Sequence, residues 1–166
     1  EGQKAQAYAT EEHPGVVWAQ AFCREHRVWM NIGSMRAVVE HDERPTNRGL
    51  MIDAAGQIAA HYDKIHLFDV KLPDGSRYEE STYVVAGKER VLAETDVAKM
   101  GMSICYDLRF PGHYRALAME GAEVLLVPSA FTRPTGKAHW EILLRARAVE
   151  NQAYVIAAAQ CGTHPG

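Results

Sequence analysis

Met100-Gly101-Met102-Ser103-Ile104, Glu123-Val124-Leu125-Leu126-Val127 and Ala153-Tyr154-Val155-Ile156-Ala157-Ala158-Ala159 are three short apolar runs in the second half of the chain. Each has the length and composition of a buried strand. Between the first two, residues 112–120 suit a helix. Between the second and third, residues 137–150 place Trp140, Leu143, Leu144 and Ala148 at three-to-four spacing, the strongest helical pattern present. Strand, helix, strand, helix, strand in that order predicts a layered α/β domain. If the strands are parallel, their crossovers should be right-handed.

The first half reads less regularly. Thr10-Glu11-Glu12-His13-Pro14 has the acidic residues and early proline that open helices, and a helix over about 15–26 would put Val17, Ala21 and Phe22 on one stripe. Val28-Trp29-Met30-Asn31-Ile32-Gly33 reads as a strand that Ala37-Val38-Val39 continues. Leu50-Met51-Ile52 and Gln57-Ile58-Ala59-Ala60-His61 flank Asp53-Ala54-Ala55-Gly56, a hairpin signal with glycine placed for positive φ. Residues 70–77, with Leu72-Pro73-Asp74-Gly75-Ser76, read as a loop. No repeat, low-complexity tract or linker divides the chain, so residues 1–166 are expected to form one domain.

Composition narrows the function classes. Of 166 residues 47% are apolar and 23% charged, a globular balance rather than a disordered one. Lys and Arg number 18 against 21 Asp and Glu, so a net charge of −3 supplies no basic field for nucleic acid or anionic membrane. No apolar run approaches the roughly 20 residues of a membrane span, and residues 1–30 carry no charged-then-apolar leader. Three widely spaced cysteines, Cys23, Cys105 and Cys161, make a poor disulfide framework, and the expectation is a reducing, cytoplasmic compartment. Metal-ligand spacings, a phosphate-binding glycine loop and a dinucleotide fingerprint are all missing, so no metal or nucleotide cofactor is expected.

In a doubly layered sheet, reactive groups gather at the carboxyl ends of strands. Cys105 stands there, after Ile104 and before Tyr106-Asp107-Leu108-Arg109-Phe110-Pro111. At a strand-to-helix turn its sulfur would project from the backbone, and nearby N–H groups would lower its pKa and hold an oxyanion. Cys161 ends the last strand in a comparable place, so position leaves two thiols in play; Cys23, inside an amphipathic helix, reads as packing. Lys64, in His61-Tyr62-Asp63-Lys64-Ile65-His66, is a candidate oxyanion donor; the bland alternative is a surface lysine paired with Asp63 or Asp69. Glu79 and Glu80 are adjacent, so in extended chain they face opposite ways and at most one enters a pocket.

Longer motifs in a fixed order carry a resemblance. Tyr62-Asp63-Lys64-Ile65-His66-Leu67-Phe68-Asp69-Val70, Tyr78-Glu79-Glu80-Ser81, Ser103-Ile104-Cys105-Tyr106-Asp107-Leu108-Arg109-Phe110-Pro111, Val127-Pro128-Ser129-Ala130-Phe131-Thr132 and the stretch from His139 to Asn151 resemble the nitrilase (carbon–nitrogen hydrolase) superfamily, in its Nit amidase branch. The likeness begins near residue 13 and runs to the end.

That resemblance implies a four-layer α–β–β–α sandwich, incomplete at both ends, and a Glu–Lys–Cys set. Cys105 would be the nucleophile, Lys64 the oxyanion-stabilising cation and Glu80 a supporting glutamate, which resolves the choice against Cys161. Arg109 would pair with a distant substrate carboxylate, the alternative being a structural ion pair, while Tyr106, Phe131 and Thr132 line the pocket. The reaction implied is hydrolysis of a small linear amide through a thioester, without metal or organic cofactor, in a homodimer or larger homo-oligomer. The family's general-base glutamate ends an early strand that has no counterpart before residue 13, and its final strands are also missing. The chain is therefore expected to be a central piece of a longer protein and inactive alone. Competing readings are a partner-binding or inactive remnant, and a Cys–His amidotransferase-type hydrolase using His66, His113 or His139.

Overall fold

The computed structural model describes residues 7–71 and 75–162. After a short 3-10 turn at Thr10–Glu12, helix α1 spans Pro14–His26. Its start is fixed by Pro14 in the first turn and by the His13 ring, which accepts from Gly15 N at 3.1 Å. Its end is set by Arg27 in the left-handed region, φ 55°. Three antiparallel strands follow in sheet order: β1 (Met30–Val39), β2 (Asp42–Ile52) and β3 (Ile58–Asp63). The expected hairpin at 53–56 joins β2 to β3, with Gly56 at φ 77° and the Asp53 carboxylate accepting from Ala55 N and Gln57 N.

A small ribbon comes next, β4 (Asp69–Lys71) against β5 (Arg77–Glu79). The stretch expected to be a loop over 70–77 is therefore paired at both ends, because Val70 lies opposite Tyr78 and Lys71 opposite Arg77. Leu72-Pro73-Asp74 lies outside the described residues. The second sheet has the order β6 (Leu92–Glu94), β7 (Lys99–Met102), β8 (Val124–Leu126), β9 (Tyr154–Ile156), with β6 antiparallel and β7–β8–β9 parallel. Helices α2 (Pro111–Met119) and α3 (Arg133–Asn151) make the two crossovers.

The alternating strand pattern divides the apolar residues among three interfaces. Met51 and Tyr62 of the first sheet meet Met102, Ile104 and Leu126 of the second. Leu125 and Val127 point the opposite way, onto Leu108, Tyr114 and Leu117, with Trp140, Leu143 and Val155 packed alongside. On the other flank, α1 buries Val16, Ala19 and Cys23 against Met35, Ala37, Leu50 and Ile52. The order is helix, sheet, sheet, helix, the four-layer sandwich expected. The stripe assigned to α1 is corrected: Val17 and Ala21 face outward and Phe22 is half-buried, because the sheet takes the neighbouring face. Cys23 is packing, as read. Among the described residues, no helix is long and apolar enough to cross a membrane.

Candidate active site

The turn after β7 sets the geometry. Cys105 opens a 3-10 turn (Cys105–Arg109) with φ 51°, a left-handed conformation that costs a non-glycine residue energy. It persists because both sides are tied: Cys105 N donates to Pro128 O at 2.9 Å, and Asp107 Oδ2 accepts from Ile104 N at 2.8 Å. Pro111 then starts α2 and keeps Phe110 extended. The result is a thiol projecting from the carboxyl end of a parallel strand into a cavity of about 510 Å³.

Lys64 and Glu80 line the same cavity. At the end of β3 Asp63 faces outward, and Lys64, the next residue, turns inward. Arg48 takes both Asp63 oxygens at 2.7 and 2.8 Å, so the bland pairing of Lys64 with Asp63 does not form. Lys64 instead is 3% exposed, with Nζ 2.6 Å from Glu80 Oε2. Its backbone is held by Asn47 O, which accepts from Lys64 N at 2.9 Å, and by Gly87 N, which donates to Lys64 O at 2.9 Å. Of the adjacent glutamates, Glu79 is exposed at the end of β5 and Glu80 is buried at the start of a 3-10 turn. Glu80 also accepts from Phe68 N (2.7 Å) and from Asn47 Nδ2 (3.1 Å). A carboxylate with three such donors is fixed in place beside the lysine.

The expected lowering of the thiol pKa is not what this setting produces. Burial pushes the Cys105 thiol up; Lys64 and the Ala130 backbone pull it back, Glu80 opposes them, and Ser129 adds a smaller pull downward. Burial wins because the sulfur is desolvated while the Lys64 charge is already shared with Glu80.

A second, smaller cavity adjoins the first through Phe68, Cys105 and Ala130 and is lined by Tyr106, Arg109, Phe131 and Thr132. The two cavities thus bring Cys105, Lys64, Glu80, Tyr106, Arg109, Phe131 and Thr132 together, whereas Glu79 and Cys161 stay outside them. Arg109 contacts His139 Nδ1 at 3.2 Å and lies 5.9 Å from the Phe131 ring centroid; among the described residues it has no carboxylate partner. Cys161 is exposed and lines neither cavity. The three histidines of the Cys–His reading are occupied elsewhere: His66 with Asp107, His113 with Met102 O, His139 with Arg109. Among the described residues, no group of three or more His, Cys, Asp or Glu is placed to hold a metal ion.

Sequence reasoning missed Asn47, Asp107 and Ser129. Asp107 carried a local signal, standing three residues after Ile104 at the spacing by which a carboxylate reaches back to a turn's first amide. Asn47 carried none, since its partner Glu80 is 33 positions away. Gly33 is a further omission. A bulge interrupts the β1–β2 register between Ile32 and Met35, and a Cβ on Gly33 would lie 2.3 Å from Pro128 Cβ, so only glycine lets β1 approach the loop behind Cys105.

Comparison with known proteins bears on these features together. The carbon-nitrogen hydrolase family profile matches residues 2–166. A deaminated glutathione amidase from Yersinia enterocolitica is 50% identical over 143 residues, covering 85% of this chain and 50% of that protein. The NitFhit protein of Caenorhabditis elegans superposes with a TM-score of 0.86 at 42% identity, over 93% of this chain and 38% of that one. Saccharomyces cerevisiae Nit3, a member of branch 10 of the nitrilase superfamily, gives a TM-score of 0.82 at 26% identity, over 96% of this chain and 55% of that one. The chain thus spans about half the length of the amidase relative. With its layers and nearly all its length matched, it belongs to the carbon–nitrogen hydrolase family.

Proposed function

We propose that this chain carries the nucleophile half of a cysteine-dependent amidase that hydrolyses a linear amide of a small carboxylated substrate. One observation carries the reading: Cys105, Lys64 and Glu80, from three separate segments, line one cavity. In this reading Cys105 Sγ attacks the amide carbon, and the developing oxyanion is held by Lys64 Nζ and Tyr106 N–H. The thiol proton passes to a carboxylate and then to the departing amine, leaving a thioester. Water, activated by the same carboxylate, attacks the thioester carbon, releasing the acid and returning the proton to sulfur.

That proton-accepting carboxylate is assigned to a residue outside the described ones. Glu80 is the only described carboxylate lining the cavity, and its three donors commit it to orienting Lys64. The raised thiol pKa supports the same assignment, because a thiol neutral at physiological pH needs a base at the moment of attack. Arg109, without a carboxylate partner in the small cavity, is assigned to the far carboxylate of the substrate, with Tyr106, Phe131 and Thr132 as the walls. Homodimerisation and a reducing, cytoplasmic setting belong to the same reading; three free thiols are in keeping with the latter.

The test uses deaminated glutathione and short linear amides with and without a distal carboxylate. The chain alone should show no turnover; joined to the flanking segments of the Yersinia relative, it should hydrolyse the carboxylated amides and form an acyl adduct on Cys105. In the joined protein, Lys64→Ala should raise the barrier by roughly 2.7–4 kcal/mol. An adduct on Cys161, or turnover indifferent to Lys64, overturns the reading.

A further inference from the structure

We propose that Asp107 is a positioning residue that bolts the Cys105 turn to the Lys64 turn, setting the thiol and the ammonium in fixed register across the cavity. The inference rests on the reading of Cys105 as the reacting thiol and Lys64 as its partner, but its test needs no amide turnover.

Asp107 is 0% exposed, and both of its oxygens are engaged. Oδ2 accepts from Ile104 N at 2.8 Å and from Tyr62 OH at 2.8 Å; Oδ1 accepts from His66 N at 3.1 Å, with His66 Nδ1 at 2.7 Å. Ile104 immediately precedes Cys105, and His66 is two residues past Lys64. The Tyr62 hydroxyl also accepts from Ile65 N at 3.1 Å, tightening the lysine segment onto the same carboxylate. The His66 ring then stacks on Phe110, centroids 3.7 Å apart, which closes the link on the cysteine side. One buried group therefore holds the two turns that carry the pair, although they lie about forty positions apart in the chain.

The bonding excludes the usual conservative replacement. A backbone N–H can only donate, and each Asp107 oxygen faces one, Ile104 N or His66 N. An asparagine would have to turn its NH₂ toward one of them, leaving a buried donor unsatisfied and freeing one turn from the other. A carboxylate kept only for stability would respond differently: its loss would lower the melting temperature yet leave the influence of Lys64 on Cys105 intact.

The experiment is a double-mutant cycle on this chain, reading the rate of Cys105 alkylation by iodoacetamide at fixed neutral pH by peptide mass spectrometry, with exposed Cys161 as internal control. Lys64→Met alone should slow Cys105 alkylation about tenfold, the effect of a one-unit pKa rise on the thiolate fraction. In the Asp107→Asn background the same change should slow it less than about threefold, because an ammonium no longer held in register with the sulfur influences it less, which makes the two substitutions non-additive. An undiminished tenfold effect in that background overturns the proposal, as does the lack of any Lys64→Met effect in the native one. Should Asp107→Asn fail to fold, Tyr62→Phe combined with His66→Ala removes two side-chain donors and keeps both backbone ones. Lys64→Met should then slow alkylation by an intermediate factor, and an undiminished effect again overturns the proposal. A chain that shows this coupling but, once completed, hydrolyses no amide would overturn the amidase reading alone.

Discussion

The two sheets reach the cavity by opposite routes. The first, β1–β2–β3, is a meander whose neighbours in space are neighbours in sequence, with register set by short turns. The second brings β7, β8 and β9 together in parallel, which hairpins cannot do, and needs α2 and α3 as crossovers. The antiparallel half supplies Asn47 from the middle of its central strand and Lys64 from the residue after β3, whereas the parallel half supplies Cys105 from beyond the carboxyl end of β7. The contrast teaches that the local half can form its pairs early, while the thiol is aimed only when the long-range half has closed.

The strongest way to break this comparison is through the parallel layer. Leu125 is fully buried beneath α2, and Leu125→Ala should cost about 2–5 kcal/mol in urea unfolding. Cys105 should be alkylated faster in step with the loss; a midpoint unchanged within error would mean that the helices are not what holds this sheet. Next comes the seam. Gly33→Ala forces a methyl into Pro128 and should cost about 1–3 kcal/mol, read as a lowered urea midpoint; a neutral result would show that β1 can retreat freely.

Acid sharpens the difference further. Burial holds the His113 imidazole below its usual value, so the unfolded chain binds a proton that the folded one refuses, and stability should fall as the pH drops below about 6.5. Asp107 adds a second loss at lower pH. Burial alone would raise it, but the hydrogen bond from His66, the nearby His113 charge and the Ile104 amide hold it below the ordinary carboxylate range. Its contribution is complete above about pH 3.9 and is lost as pH falls through the folded-state value. Both groups belong to the parallel half. Urea midpoints between pH 8 and pH 5 should therefore decline, and His113→Gln should flatten the decline; a flat native profile would contradict it. The smallest effect expected is at Trp18 on the outer face of α1, 60% exposed, where Trp18→Ser should shift stability by less than about 0.5 kcal/mol.

Legibility followed the same division. The parallel half was readable because buried strands and amphipathic helices differ in period, so the runs at 100–104, 123–127 and 153–159 matched β7, β8 and β9 to within a few residues. In the antiparallel half the hairpin at Gly56 was readable from turn chemistry, but the buried face of α1 was not. Val17 and Ala21 are as apolar as Val16 and Ala19, and only the position of the sheet chooses between them. The ribbon of β4 and β5 escaped notice because three-residue strands hold no period. Around the sulfur, motif order brought out Cys105, Lys64, Glu80 and Arg109, whereas Asn47 and Gly33 matter through contacts that no local pattern encodes.

The left-handed backbone at Cys105 has one more consequence. A main chain held in this way fixes, once the polypeptide has folded, the direction in which the Cα–Cβ bond leaves it. In the amidase reading, an incoming carbonyl would therefore have to meet the sulfur from the side that this bond faces.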